Sequence, residues 1–96
     1  MKTLKPFDTA QFLDNDTVIT AYLAAALEDP NPKVFLSALG EVAKAKGMKK
    51  IAQDANLSRE SLYKALRPEA KPRYETIYRV MAALGVKLII APLSVQ

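Results

Sequence analysis

The sequence predicts an all-α domain of five helices, and three observations point there. Apolar residues recur at helical spacing in five separate stretches between residues 17 and 84. Pro, Gly or Asn falls between most of these stretches, where a helix must stop. A β-branched run is confined to one place, residues 86–93 near the C-terminal end.

The first helix is expected from about Thr17 to Glu28, capped by Asn15 or Asp16, with Val18, Tyr22, Ala25 and Ala26 on its apolar side. Asp29-Pro30-Asn31-Pro32 then breaks it, because Pro lacks an amide proton and biases its predecessor toward extended backbone. A second helix follows from Pro32 or Lys33 to about Lys46, with Phe35, Ala38, Leu39 and Val42 as its stripe and Gly47 as its stop. A short third helix, Met48 to Ala55, turns Ile51, Ala52 and Ala55 inward. Asn56 marks a tight turn, since Asn tolerates positive φ. Ser58 caps a fourth helix reaching about Leu66, whose core contacts are Leu62 and Leu66. After the basic loop Arg67-Pro68-Glu69-Ala70-Lys71-Pro72, a fifth helix runs from about Tyr74 to Leu84 and ends at Gly85. Its apolar side is Ile77, Val80, Met81 and Leu84. Val86-Lys87-Leu88-Ile89-Ile90-Ala91-Pro92-Leu93 reads as a short strand. A single strand needs a partner for its backbone groups, and the same strand of a second copy would supply it, through Val86, Leu88, Ile89 and Ile90. Three segments are therefore expected: an acidic leader and helix over 1–30, a core domain over 31–85, and a dimerising tail over 86–96.

Ninety-six residues suit one domain with a modest core. The chain has no Cys and no His. Disulfides, thiolate nucleophiles and thiolate metal sites are thereby excluded, along with the commonest general base and transition-metal ligand. Catalysis would rest on carboxylates, Lys, Tyr or Ser alone, so an enzyme is not expected, nor is any cofactor. No apolar run approaches the roughly 20 residues of a membrane span. The first residues lack a signal-peptide core, which points to the cytoplasm. Charge is unevenly placed. Residues 1–32 carry a net −3, residues 33–96 a net +7, and residues 44–73 alone a net +6. An acidic head and a basic centre suit two kinds of partner. Unequally charged solvated faces are the plainer alternative.

The sharpest pattern is Gly47 to Leu66. Two short helices crossing through a tight turn need a small residue where they touch, and Ala52 lies four residues before Asn56. Leu57 plugs the corner. The second helix of such a unit projects its first turns outward, in the manner that fits a DNA major groove. Its outward residues are Arg59, Glu60, Tyr63 and Lys64. Arg59 can bond guanine O6 and N7 together, Glu60 can accept from cytosine N4, and Tyr63 or Lys64 can reach neighbouring bases. Lys49 and Lys50, Ser58 and Ser61, and the loop residues Arg67, Lys71 and Arg73 are candidate phosphate contacts that position the unit. An ordinary αα-corner with a Glu60–Lys64 surface pair is the alternative.

Ala38-Leu39-Gly40-Glu41-Val42-Ala43-Lys44-Ala45-Lys46-Gly47 and Leu57-Ser58-Arg59-Glu60-Ser61-Leu62-Tyr63-Lys64-Ala65-Leu66 carry a resemblance, with Tyr74-Glu75-Thr76-Ile77 and Ala82 to Leu88. These words resemble the HigA-like antitoxins of addiction modules, which have Xre/Cro-type helix-turn-helix domains. The N-terminal stretch, including Tyr22-Leu23 and Ala24 to Leu27, resembles that family's leader. The resemblance implies a lambda-repressor-like helix-turn-helix fold. It also implies a homodimer that binds its own double-stranded operator, represses transcription and neutralises a RelE/ParE-like toxin. Asn56 stands where the family often has glycine, and the Pro68–Pro72 loop departs from its usual form. Candidate toxin contacts in the acidic leader are Asp8, Asp14, Asp16, Phe7, Phe12 and Tyr22, although Phe12 and Tyr22 also suit the core. A prophage-type regulator without a toxin, and a helical interaction module that never meets DNA, are the other two readings.

Overall fold

The computed structural model describes residues 16–93. The leader residues Phe7, Asp8, Phe12 and Asp14 lie outside them. Five helices occur among the described residues: α1 (Asp16–Leu27), α2 (Pro32–Lys46), α3 (Met48–Ala55), α4 (Arg59–Ala65) and α5 (Tyr74–Ala83). None of them is long and apolar enough to cross a membrane.

Each helix contributes to one core. The largest fully buried side chains are Ile19 from α1, Leu39 and Val42 from α2, Ile51 from α3, Leu62 from α4 and Val80 from α5. Burying each of them contributes about 1.5–3 kcal/mol relative to leaving it in water. No described polar or charged side chain is buried, and no buried side-chain nitrogen or oxygen lacks a hydrogen-bond partner. α1 packs chiefly on α2, whereas α3 bridges to α2, α4 and α5. The α3–α4 pair is therefore held from behind by the rest of the domain.

The helix ends follow from local chemistry. Asn31 caps α2 by accepting the Lys33 amide at 3.0 Å, with Pro32 in the first turn where its missing N–H costs nothing. Asp29 in turn accepts the Asn31 amide at 2.8 Å. Gly47, at φ 109°, ends α2 and starts α3 in one residue. At the end of α5 the Val86 N–H reaches the Met81 carbonyl and the Gly85 N–H reaches Ala82, both at 3.0 Å. That closure needs the left-handed backbone of Gly85, at φ 83°.

Two expectations are corrected. The apolar side of α1 is centred on Ile19 and Leu23, both buried, while Val18, Tyr22 and Ala26 are half-buried and Ala25 is exposed. The helix is apolar almost all round, so its sequence offers little contrast between faces. The expected C-terminal strand is also absent among the described residues: 86–93 belong to no strand. A ladder needs a second backbone alongside, and no described segment of this chain supplies one. Of the expected dimerising residues, Val86 packs half-buried against its own chain's core, whereas Leu88, Ile89 and Ile90 are exposed.

Candidate nucleic-acid interface

The α3–α4 unit is built around its turn. Asn56 adopts φ 60°, ψ 46°, a left-handed conformation. This lets the Leu57 N–H reach back to the Ala52 carbonyl at 2.8 Å and the Asn56 N–H to Gln53 at 3.1 Å. Leu57 then packs half-buried against the core. Ala52 and Ala55 of α3 are both buried. Asn in place of Gly closes this turn without difficulty, because its short polar side chain tolerates the left-handed region.

α4 begins at Ser58, whose extended backbone (φ −73°, ψ 156°) swings the chain into the helix. Its hydroxyl accepts the Ser61 amide at 3.0 Å and donates to Ser61 Oγ at 2.9 Å. The Ser58 hydroxyl is thus engaged in both directions. That differs from a residue held free for a phosphate. Ser61 is exposed beside it.

Leu62 and Leu66 anchor α4, being buried in the core cluster. One buried stripe leaves the remaining faces outward, and Arg59, Glu60, Tyr63 and Lys64 are all exposed there, with Tyr63 45% accessible. Their spacings of one, three and four residues gather them on adjoining turns of the same helix. The ion pairs among the described residues are Lys46–Asp16, Lys50–Asp54 and Arg79–Glu75. Glu60 and Lys64 do not form one, so both charges stand open to a partner.

Two furrows flank α4. Tyr63 and Arg67 share the first with Lys44 of α2, near Met48 at the start of α3. Ser61 and Lys64 share the second with Lys71, Arg73 and Thr76. The loop of residues 67–73 therefore brings Arg67 to one side of the helix and Lys71 and Arg73 to the other. Lys49 is exposed at the start of α3. Its neighbour Lys50 bonds Asp54 one turn on, at 2.8 Å. An exposed pair of that kind is worth about 0–1 kcal/mol, so a phosphate could displace Asp54 cheaply. Lys44 and Thr76 are additions that the sequence pattern did not single out. They come from α2 and α5, and only the packing of those helices brings them beside α4.

Of the residues expected to meet a protein partner, Asp16 and Tyr22 are among those described. Asp16 is exposed at the start of α1, and its carboxylate lies 3.5 Å from the Lys46 ammonium. Tyr22 packs half-buried against the core and lines a shallow groove between α1 and α2.

Comparison with known proteins adds a family. Residues 3–92 match the model of a family whose description is "probable addiction module antidote protein". A protein of Haemophilus influenzae, named only as uncharacterized, is 44% identical over 84 residues, covering 88% of this chain and 87% of its own length. No solved structure matches the chain.

Proposed function

The chain belongs to the family of probable addiction module antidote proteins, and we propose that it is a DNA-binding antitoxin that represses its own operon as a homodimer. Antidotes neutralise a toxin, so a cognate toxin is the partner that family membership implies. The observation that carries the DNA half is the exposed set Arg59, Glu60, Tyr63 and Lys64 on α4, flanked by Lys44, Arg67, Lys71 and Arg73.

In this reading α4 enters the major groove. The Arg59 guanidinium donates two parallel hydrogen bonds to guanine O6 and N7, and the Glu60 carboxylate accepts from cytosine N4. Tyr63 and Lys64, one turn on, reach the next bases. The flanking cations straddle the groove: Lys44 and Arg67 on one backbone, Lys71 and Arg73 on the other, with Lys49 and Lys50 at the start of α3. Ser61 approaches a phosphate from within the second furrow, while Ser58 chiefly sets the angle of α4. Phosphate contacts fix the register, and base contacts choose the sequence.

The dimer is assigned to residues 86–96, and toxin binding to the leader, α1 and the turn after it, where Asp16, Glu28 and Asp29 are exposed. A toxin of the RelE/ParE type follows from the HigA-like resemblance, and a basic nuclease of that kind suits an acidic face. The protein acts in the cytoplasm, beside the DNA that encodes it.

The test is a titration of the protein against duplexes from its own upstream region over a series of salt concentrations. Binding several phosphates makes affinity fall steeply as salt rises. The Arg59→Ala variant is expected to lose about 1–3 kcal/mol on the operator and to relax base preference at one position in each half-site. An equal loss on operator and random DNA would make Arg59 a phosphate contact instead. Absence of operator preference in the unaltered protein at low salt would sink the repressor reading. Co-expression with the adjacent reading frame tests the antitoxin half separately, through relief of toxicity and recovery of a stable complex.

A further inference from the structure

On the side of α1 and α5 the molecule carries an open apolar groove. Leu23 and Leu27 of α1, Phe35 of α2, Met81 of α5 and then Val86 and Leu88 line it. Ile89 ends that wall at 80% exposure, and immediately beyond it the chain presents Ile90 and Leu93 at 97% and 105%. Such a row of aliphatic side chains in water is unusual beside an unfilled apolar groove.

We propose that the groove receives the C-terminal segment of a second copy, so that each protomer seats Ile90 to Leu93 in the other. The proposal rests on the dimer of the functional reading and on none of its DNA or toxin chemistry. Three features favour this occupant. First, the chain cannot readily fill its own groove. Residues 86–89 already form one wall, so Ile90 and Ala91 would have to reverse direction. Pro92 biases Ala91 toward extended backbone and opposes that reversal.

Second, the charge fits an uncharged guest. The rim carries Glu28 and Lys87, one of each sign, and the segment from Leu88 to Leu93 carries no charge at all. A strongly basic partner would gain little here. Third, donor and acceptor lie side by side on the same chain. One two-fold axis can therefore satisfy both at once, closing the pair without leaving a free tail to recruit a third copy.

The chain's lack of cysteine makes the test direct. Sedimentation of the full-length protein is expected to show a dimer. Leu27→Glu on the groove wall and Ile90→Glu on the tail should each raise the dimer dissociation constant at least tenfold, with helical circular dichroism unchanged. Leu27 is 45% exposed, so its replacement leaves the core intact. A mixture of Leu27→Cys and Leu93→Cys chains should cross-link under mild oxidation into a heterodimer, which decides the matter even if a charged variant misfolds. Cross-linking confined to Ile90→Cys homodimers would indicate tail-on-tail pairing and overturn the groove while sparing the dimer. A monomeric parent protein at micromolar concentration, or a Leu27→Glu variant as dimeric as its parent, would also overturn the proposal.

Discussion

Ile19 is fully buried in α1, while its neighbour Val18 is only half-buried. Truncation therefore separates the two positions. Ile19→Ala is expected to destabilise the domain by about 2–5 kcal/mol in urea unfolding, because it removes buried methylenes and leaves a cavity between α1 and α2. Val18→Ala should cost less than half as much. Equal costs would mean that α1 is rotated from the orientation described. The same logic runs outward on α4, where Leu62 is fully buried and Tyr63 is 45% exposed. Adjacent residues there hold opposite jobs, one anchoring the helix and the other facing whatever the helix meets. The α4 pattern was legible because Leu62 and Leu66 are apolar among polar neighbours. The α1 pattern was not, since Val18, Ile19, Tyr22 and Leu23 are all apolar and only contact with α2 selects among them.

At the scale of elements, the stops matter as much as the helices. Gly85 closes α5 in left-handed backbone at φ 83°, whereas Gly40 lies in the middle of α2 with a helical backbone. A Cβ added at Gly40 would meet the Leu66 carbonyl oxygen at 3.7 Å and the Leu66 Cβ at 3.9 Å, ordinary van der Waals contacts. Gly40→Ala is accordingly expected to stabilise the domain by about 0.5–1 kcal/mol, through lower unfolded-state entropy and better helix propensity. Gly85→Ala should destabilise it by about 1–2 kcal/mol, since an L side chain is strained at that φ. Thermal unfolding of the two variants should move Tm in opposite directions, and a shift of the same sign would contradict the assignment. The bounds of α3 agree with the pattern expected from sequence, and those of α2 and α5 lie within a residue of it. The caps and breakers Asn31-Pro32, Gly47, Asn56, Ser58 and Gly85 act within a few residues of chain. The Asn31 cap itself was available to the same reasoning, since Asn directly before Pro opens a helix by a local rule.

The whole molecule places two surfaces apart: the basic furrows around α4, and the apolar groove between α1 and α5 with its exposed tail. If the protein is the dimeric repressor proposed, linking two half-site binders makes the second contact intramolecular, so dimerisation and operator affinity should rise and fall together. Removing residues 88–96 retains Val86, whose amide closes α5 and whose side chain packs on the core. The shortened chain is expected to keep its helical content and its affinity for an isolated half-site. Its affinity for the full operator should drop by about 10²-fold. A full operator bound as tightly by the shortened chain would detach the tail from DNA binding.

From its sequence alone this protein could be assigned five helices, their approximate ends, the tight turn at Asn56 and the outward residues of α4. Those features depend on the period of apolar residues and on caps and turns, which are local. The tertiary structure decided which side of α1 faces inward, that Lys44 and Thr76 stand beside α4, and that residues 86–93 run without a strand partner. Each of these depends on which segments meet across the chain. The C-terminal run shows the division most clearly. Its β-branched composition is a local signal for a strand, but a strand exists only where a second backbone completes its hydrogen bonds, and one copy of the described chain has none to offer.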